Sequence, residues 1–359
     1  MVDVLIMRGM GMRRLWISAL TAGLLAVASP ASAATGWKLI GSPDNQAMLR
    51  DIAVLGPNDA WAVGAQTYPH YTPLLRRWNG HTWNKVTNLP AAVAHADLTT
   101  ISASAAGNVW ISGSDYQHQR MFTLRWNGSH WSVISKAMAP NGYPAHLLAR
   151  AANDVWRFGQ AGKAVDFKPD VRHYNGHAWS NVTSPGVIVD ASARSATDIW
   201  AVAQIKGSST PMSSLVLHWN GHTWTKPAEP DGVGVKFQSI NARSDSDVWV
   251  RGEYSNGSGN VFLHWNGQSW HTLQPVPPEQ DSDYGLVNDG KGGFWTTSAI
   301  SFLHYTGGQW TKTAAPLWQG HQPQMAAIAQ VPGTTSVWAV GEIDLTQSSV
   351  RDVISKYGP

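Results

Sequence analysis

The chain has 359 residues, with 26 Lys and Arg against 23 Asp and Glu, 20 Trp and no Cys. A net charge of +3 without basic clusters excludes the electrostatic footprint of a nucleic-acid or anionic-membrane binder. The lack of cysteine excludes a disulfide framework, so a packed core must supply the stability, and the length is sufficient for one.

Residues 1–33 read as a secretory signal. Arg13-Arg14 precede an apolar run from Leu15 to Val27, and Ala31-Ser32-Ala33 is a small-x-small cleavage site. The run is too short to anchor in a bilayer, so no membrane span is expected and the protein is expected to be secreted. Most of the surplus basic charge lies in this segment (Arg8, Arg13 and Arg14 against Asp3). No linker or charge run divides residues 34–359, which are expected to form a single, monomeric domain.

From Trp37 onward one phrase recurs at a period of roughly 46 residues. Its first element is Asp59-Ala-Trp61-Ala-Val-Gly64, and the same Trp returns at Trp110, Trp156, Trp200, Trp249, Trp295 and Trp338. Its second is an Asn-Gly-x-x-Trp turn or a close relative, ending in Trp83, Trp131, Trp179, Trp224, Trp270 and Trp310. The seventh copy is split: the chain closes on Lys356-Tyr357-Gly358, and the missing Gly-x-x-Trp partner is Gly36-Trp37 at the other end.

Within a unit the apolar pattern has period two. In Leu98-Thr-Thr-Ile101-Ser-Ala103 and Val109-Trp-Ile-Ser112, β-branched and aromatic residues are bounded by turn residues, as strands require. Each unit predicts four strands, A to D, with the Val-Trp in B and the Gly-x-x-Trp tryptophan opening D. Seven such units closed in a ring predict an all-β, seven-bladed β-propeller, with the strand at Trp37 pairing beside the strand at Tyr357. Pairing the termini in this way shields sheet edges that an open array exposes. A linear solenoid would instead need polar capping repeats.

The turns then divide between two rims. The A-to-B turns are short and alike (Gly56-Pro-Asn-Asp59, Ala151-Ala-Asn-Asp154), and the C-to-D turns are Asn-Gly or close relatives, so both uniform turns lie on one rim. The B-to-C and D-to-A connections lie on the other rim and differ in every unit, and variation on one face is where such folds carry binding surfaces.

The run Asp59-Ala-Trp-Ala-Val-Gly64, with Leu217-His-Trp-Asn-Gly-His-Thr-Trp224, resembles the tryptophan-rich secreted propeller repeats of actinobacteria over essentially all of residues 34–359. Val261-Phe-Leu-His-Trp-Asn-Gly-Gln-Ser-Trp270 is more loosely similar to units of seven-bladed sugar-binding lectins and BNR-type propellers. That likeness rests on one hairpin and implies a class of function, since the lectins' sugar-contacting residues do not map onto positions here.

Several side-chain sets then sort into scaffold and candidates. The repeated tryptophans, with Trp78, Trp126, Tyr174, Trp219, Trp265, Tyr305 and Tyr357 of strand C, suit packing between blades. Arg77, Arg125, His173, His218, His264, His304 and Lys356 end strand C where Asp59, Asp154, Asp198 and Asp247 begin strand B. Charge-assisted pairing within those blades is expected, and is expected to be missing in units 2, 6 and 7, which carry Asn108, Gly293 and Ser336 instead. His81, His177 and His222 occupy separate turns, too far apart to share a metal. Asp281-Ser-Asp283-Tyr-Gly285 with Asp289 approaches a calcium loop but lacks its fifth-position acid and bidentate Glu, so no metal is expected. Arg157 and Arg251 interrupt the apolar pattern of strand B and need partners.

No Gly-x-Ser-x-Gly, His-Glu-x-x-His or phosphate-binding glycine loop is present, and no cofactor is implied. The expected function is a non-catalytic binding module for a glycan or an extracellular protein. The candidate ligand residues are Tyr68, His70, Tyr71, Tyr116, His118, Tyr143, Tyr254, Trp318 and His321, whose rings and polar edges suit stacking and hydrogen bonding. The alternatives are a hydrolase or lyase with a composite site at the channel mouth, to which Asp115, Asp166, Asp231, Glu253 or Glu342 would contribute, and a structural cell-envelope protein.

Overall fold

The computed structural model describes residues 36–359 apart from 42–43, 68–69, 139–142, 164–165, 206–212, 228–233, 258, 274–275, 277–284, 299 and 347–348. The described residues form seven antiparallel sheets, each built in the order A, B, C, D, which are the blades of a propeller. The A strands are Ala47–Gly56, Asp97–Ala105, Tyr143–Ala151, Val187–Ser195, Val235–Ser244, Leu286–Asn288 and Pro323–Gln330. In blade 3 strand C comes in two pieces, Asp166–Pro169 and Arg172–Tyr174, both paired with the same B strand, Asp154–Lys163. A 3₁₀ turn at Ala91–Val93 is the one helix among the described residues.

The split repeat closes the ring. In blade 7 the order is Trp37–Leu39, Ser349–Tyr357, Val337–Thr346, Pro323–Gln330, with Trp37 opposite Tyr357 and Leu39 opposite Ser355. A polar latch crosses the seam between blades 7 and 1. The buried guanidinium of Arg76 donates to Asp352 at 2.6 Å and lies 3.0 Å from Asp44, while the Asp44 backbone N–H donates to the other Asp352 oxygen at 2.6 Å. Both carboxylates are needed there, because an arginine taken out of water must be paired.

The repeated aromatics account for the rest of the cohesion. The strand-B tryptophans insert into the next blade, six of them against its strand-C and strand-D rings and Trp249 against Tyr305 and Phe294 of blade 6. Trp61 meets Trp126 and Trp131 at 6.0 and 5.8 Å, Trp156 meets Trp219 and Trp224 at 5.0 and 6.0 Å, and Trp338 meets Trp78 and Trp83 at 5.2 and 5.3 Å. Trp295 meets Trp37 and Tyr357 in the same way, so the N-terminal strand occupies a blade position like any other. Such tilted and edge-to-face pairs add about 0.5–1.5 kcal/mol each beyond the area they bury.

The expected clasps between strands B and C are present. Asp59 accepts from Arg77 at 3.1 Å, and Asp154, Asp198 and Asp247 bond His173, His218 and His264 at 3.0, 2.9 and 3.0 Å. Each of these side chains also lies against the strand-B tryptophan of its own blade, with His264 stacked on Trp249 at 4.1 Å and Arg77 over Trp61 at 4.5 Å. Blades 2 and 7 keep only the aromatic half, with Arg125 over Trp110 and Lys356 over Trp338. Blade 6 corrects the sequence expectation. Asp289, in the A-to-B turn rather than at the start of strand B, reaches His304 at 2.9 Å and caps Lys291 and Gly293 through their N–H groups. A different backbone position thus supplies the same carboxylate.

The glycine that ends the Trp-Ala-Val-Gly phrase is explained by a β-bulge. Strand A slips register by one residue near its start in six blades, between Leu49 and Asp51, Leu98 and Thr100, Pro144 and His146, Ile188 and Asp190, Phe237 and Ser239, and Met325 and Ala327. A bulge twists its strand and re-aims side chains. Gly64 and Gly341 sit opposite this kink, where a Cβ would collide with the carbonyl oxygens of Met48 and Gln324.

Candidate functional site

The inner strands of all seven blades enclose a channel of about 1170 Å³. Its half toward the uniform rim is lined by short or apolar residues such as Ala53, Ala103, Ala191 and Ile328. Its half toward the variable rim is polar, because the bulges there turn Arg50, Thr99 and Gln238 onto the wall and place Asp51, His146 and Asp190 beside them.

Asp51 and Asp190 occupy equivalent positions and have equivalent partners. Asp51 accepts from its neighbour Ile52 at 2.8 Å and from Ile101 of the next blade at 2.9 Å. Asp190 does the same with Ala191 and Ile240, both at 2.9 Å. These carboxylates staple adjacent inner strands together. Burial raises both above the ordinary aspartate range despite the N–H donors. His146 lies between them, its Nδ1 3.3 Å from Asp190, and its buried Nε2 has no hydrogen-bond partner.

Nearer the rim, Arg50 donates through Nε to Asp97 at 2.8 Å. Asp97 is fully buried, and desolvation outweighs the arginine so that its carboxyl lies above the usual range. Above this pair stand Tyr71, from the B-to-C connection of blade 1, and Tyr116, from that of blade 2. Their rings meet edge to face at 6.1 Å, and they are 39% and 57% exposed, among the few large apolar surfaces left open to solvent. Tyr143 begins the inner strand of blade 3, is also exposed and lines the channel. Glu342 faces the channel from strand B of blade 7. Its Oε2 is buried without a donor, and burial together with Asp344 raises its carboxyl.

The candidates read from the sequence therefore separate. Tyr71, Tyr116 and Tyr143 come together around the mouth. His118 lies in the same connection as Tyr116, with Nδ1 2.7 Å from Asp115 and its ring 6.1 Å from His95. His70 is exposed in the same connection as Tyr71. Tyr254 is half-buried against the cluster between blades 4 and 5. Trp318 packs partly buried into the cluster of blades 6 and 7, with Arg351 over its ring at 4.9 Å. The space beside it, about 30 Å³, has room for a water rather than a sugar ring. His321 is exposed and bridges to Trp318 through backbone hydrogen bonds at 3.0 and 2.9 Å. Tyr68, Asp281 and Asp283 lie outside the described residues, and Asp289 is engaged by His304. Among the described residues no three His, Asp or Glu side chains are grouped to hold a metal.

Arg157 and Arg251 have their partners. Arg157 donates to Asp170 at 2.8 Å, and Arg251, fully buried, donates to Gln238 and Asn260 at 2.7 and 2.8 Å. Sequence reasoning missed Arg50, Asp97 and His146. Their signal was faint, a charged residue in a run otherwise patterned for a core strand, and the bulge that repositions this part of the strand was marked only indirectly, by the strand-B glycine opposite it.

No protein-family model matches the chain, and no curated protein matches it. Solved structures do. YCF48 bound to a D1 peptide superposes with a TM-score of 0.61 at 17% identity, over 92% of this chain and 99% of that one. YCF48 from Cyanidioschyzon merolae gives 0.58 at 16%, over 90% and 99%. Virginiamycin B lyase from Staphylococcus aureus gives 0.54 at 11%, over 89% and 99%. The likeness is one of fold.

Proposed function

We propose that this chain is an exported binding module that takes a carbohydrate or protein ligand at the variable-rim mouth of its channel. The observation that carries this is the convergence of exposed Tyr71, Tyr116 and Tyr143 around a wide, polar opening, while nearly all repeated aromatics are consumed by packing between blades. Rings with a polar edge suit both sugar stacking and peptide contact. The variable connections do not repeat one residue set, which favours a single composite site over one site per blade. A neighbour of the same fold, YCF48, is known bound to a peptide, which accords with use of a propeller rim for recognition. The signal-like residues 1–33 support export.

The hydrolase or lyase alternative needs carboxylates free to act at one mouth. Glu342 reaches the channel, but Asp115 is held by His118 and Glu253 lies 3.3 Å from Lys236. Asp231 lies outside the described residues. A glycan and peptide array screened with the wild type and with Tyr71→Ala/Tyr116→Ala tests the binding reading. Ligands of the wild type should be lost in the double variant while its melting temperature holds; ligands that survive both substitutions would remove the rim from consideration.

A further inference from the structure

We propose that the channel mouth recognises its ligand through a protonated primary amine, as carried by a lysine side chain or an aminosugar, seated between the Glu342 carboxylate and the Tyr71–Tyr116 pair. This rests on the rim being the binding site.

The balance of charge on the wall comes first. The permanent cations facing the channel are Arg50 and Lys236, and each already has a carboxylate of its own: Asp97 at 2.8 Å and Glu253 at 3.3 Å. Three further carboxylates, those of Asp51, Asp190 and Glu342, face the same space with no lysine or arginine within 4.0 Å among the described residues. His146, between Asp51 and Asp190, offsets one of them at most. Carboxyl groups without a lysine or arginine partner thus outnumber unpaired basic groups on this wall, and a concave low-dielectric wall focuses the negative charge they carry on whatever enters.

Hydrogen bonding points the same way and is independent of net charge. Asp51 and Asp190 are satisfied by backbone N–H groups, but Glu342 Oε2 is buried without any donor. The second oxygen of Asp97 and the hydroxyl of Ser114, both in fully buried side chains paired across strands A and B of blade 2, are also without partners. Two carboxylate oxygens near the mouth, Asp97 Oδ2 and Glu342 Oε2, thus lack a donor, and a ligand that brings N–H donors to Glu342 relieves an unmet acceptor while one rich in acceptors does not. An ammonium brings three donors and one positive charge.

The aromatic pair completes the arrangement. Tyr71 and Tyr116 present exposed ring faces beside Arg50, and aromatic faces attract cations. An anionic ligand would have only the terminal nitrogens of Arg50 to bind. It would approach them past Asp97 and within the field of Glu342, and like charges so placed repel.

The test uses the chain from residue 34 onward, titrated calorimetrically at low salt with four probes: trilysine, its fully N-acetylated form, N-acetyl-triglutamate, and the β-1,4-linked glucosamine trimer. Trilysine or the glucosamine trimer should bind saturably, the first pointing to a peptide source and the second to a glycan. Acetylation should weaken trilysine by about tenfold or more, and Glu342→Gln should weaken the amine probes by about tenfold. The glutamine is isosteric, and an unchanged circular dichroism spectrum with a melting temperature no lower than the wild type's certifies the variant. Absence of saturable amine binding, equal binding of acetylated trilysine, tighter binding of N-acetyl-triglutamate, or full retention in Glu342→Gln would each overturn the proposal. An uncharged array ligand lost in Tyr71→Ala/Tyr116→Ala would overturn it while leaving the rim as the site. A ligand insensitive to both tyrosines would remove the rim as well.

Discussion

Replacing Trp37 by alanine measures how firmly the split repeat closes the ring. Trp37 is 8% exposed, stacks on Phe302 with centroids 3.5 Å apart, and meets Trp295 and Tyr357 at 5.5 and 5.7 Å. A tryptophan so placed buries on the order of 200 Å². At about 25 cal/mol per Å² that is about 5 kcal/mol, and large-to-small substitutions of buried tryptophan cost about 3–5 kcal/mol. One relief acts against this: if the end of the terminal strand frays by a residue, it regains about 1–2 kcal/mol of backbone entropy. The expected net loss is about 3 kcal/mol, a substantial share of the 5–15 kcal/mol typical of a folded domain. Urea unfolding of Trp37→Ala beside Trp131→Ala gives the comparison, since Trp131 opens strand D of blade 2 with similar burial (6% exposed) and no nearby terminus. Similar losses show the N-terminal strand to be a full member of blade 7. A loss below about 1 kcal/mol for Trp37 alone would mean that the ring is not held shut by this strand, and the closure argument fails.

Other substitutions probe the clasps, the bulge and the channel wall. Asp247→Ala strands Arg243, His264 and the Trp249 indole N–H, all bonded to that carboxylate, and should cost about 1–3 kcal/mol in urea unfolding. Burial opposes the charge on Asp247, but Arg243 and His264 prevail and hold its carboxyl below the ordinary range. Its contribution is therefore present above the unfolded-state value and is lost as pH falls through the lower folded value, so the wild type and Asp247→Ala should converge in stability in acid. Gly341→Ala pushes a Cβ into the Gln324 carbonyl at the bulge and should destabilise by about 1–3 kcal/mol, whereas an unchanged urea midpoint would show that strand A has room to shift. Glu342→Gln should raise the melting temperature at pH 8 and not at pH 3. The raised carboxyl favours the fold below the unfolded-state value and disfavours it once pH passes the folded value, a difference that glutamine abolishes.

The scaffold was legible because it is periodic. Trp61, Trp110 and their equivalents recur in strand B, and a ring is the architecture that gives each the same neighbours and consumes a half-repeat at each end. The clasps were legible for a similar reason, since Asp59 and Arg77 must face each other if strands B and C form a hairpin. What failed to show was set by single-residue displacements. The bulge after Leu49 moves Arg50 and Asp51 out of the alternation that the apolar pattern predicts, and the same slip places His146 between Asp51 and Asp190. The pairing of Asp289 with His304 escaped notice because it is made from a turn rather than from the strand that the repeat specifies. Trp318 stands outside the repeat in sequence yet packs like a member of it, because Arg351 and the blade 6–7 cluster lie within reach. Composition marked the variable connections, but their meeting at one mouth follows from the ring and from nothing local.

The division between a recognition rim and a scaffold rim is tested most directly by hydrogen–deuterium exchange, with and without a saturating ligand recovered from the array screen. Protection should rise at residues 48–51, 97–100 and 143–146 and in the connection carrying Tyr116. The Asn-Gly turns around Gly80, Gly128, Gly176, Gly221 and Gly267 should exchange as before. Protection at those turns, with the channel mouth unchanged, would place the ligand on the opposite rim and contradict the assignment.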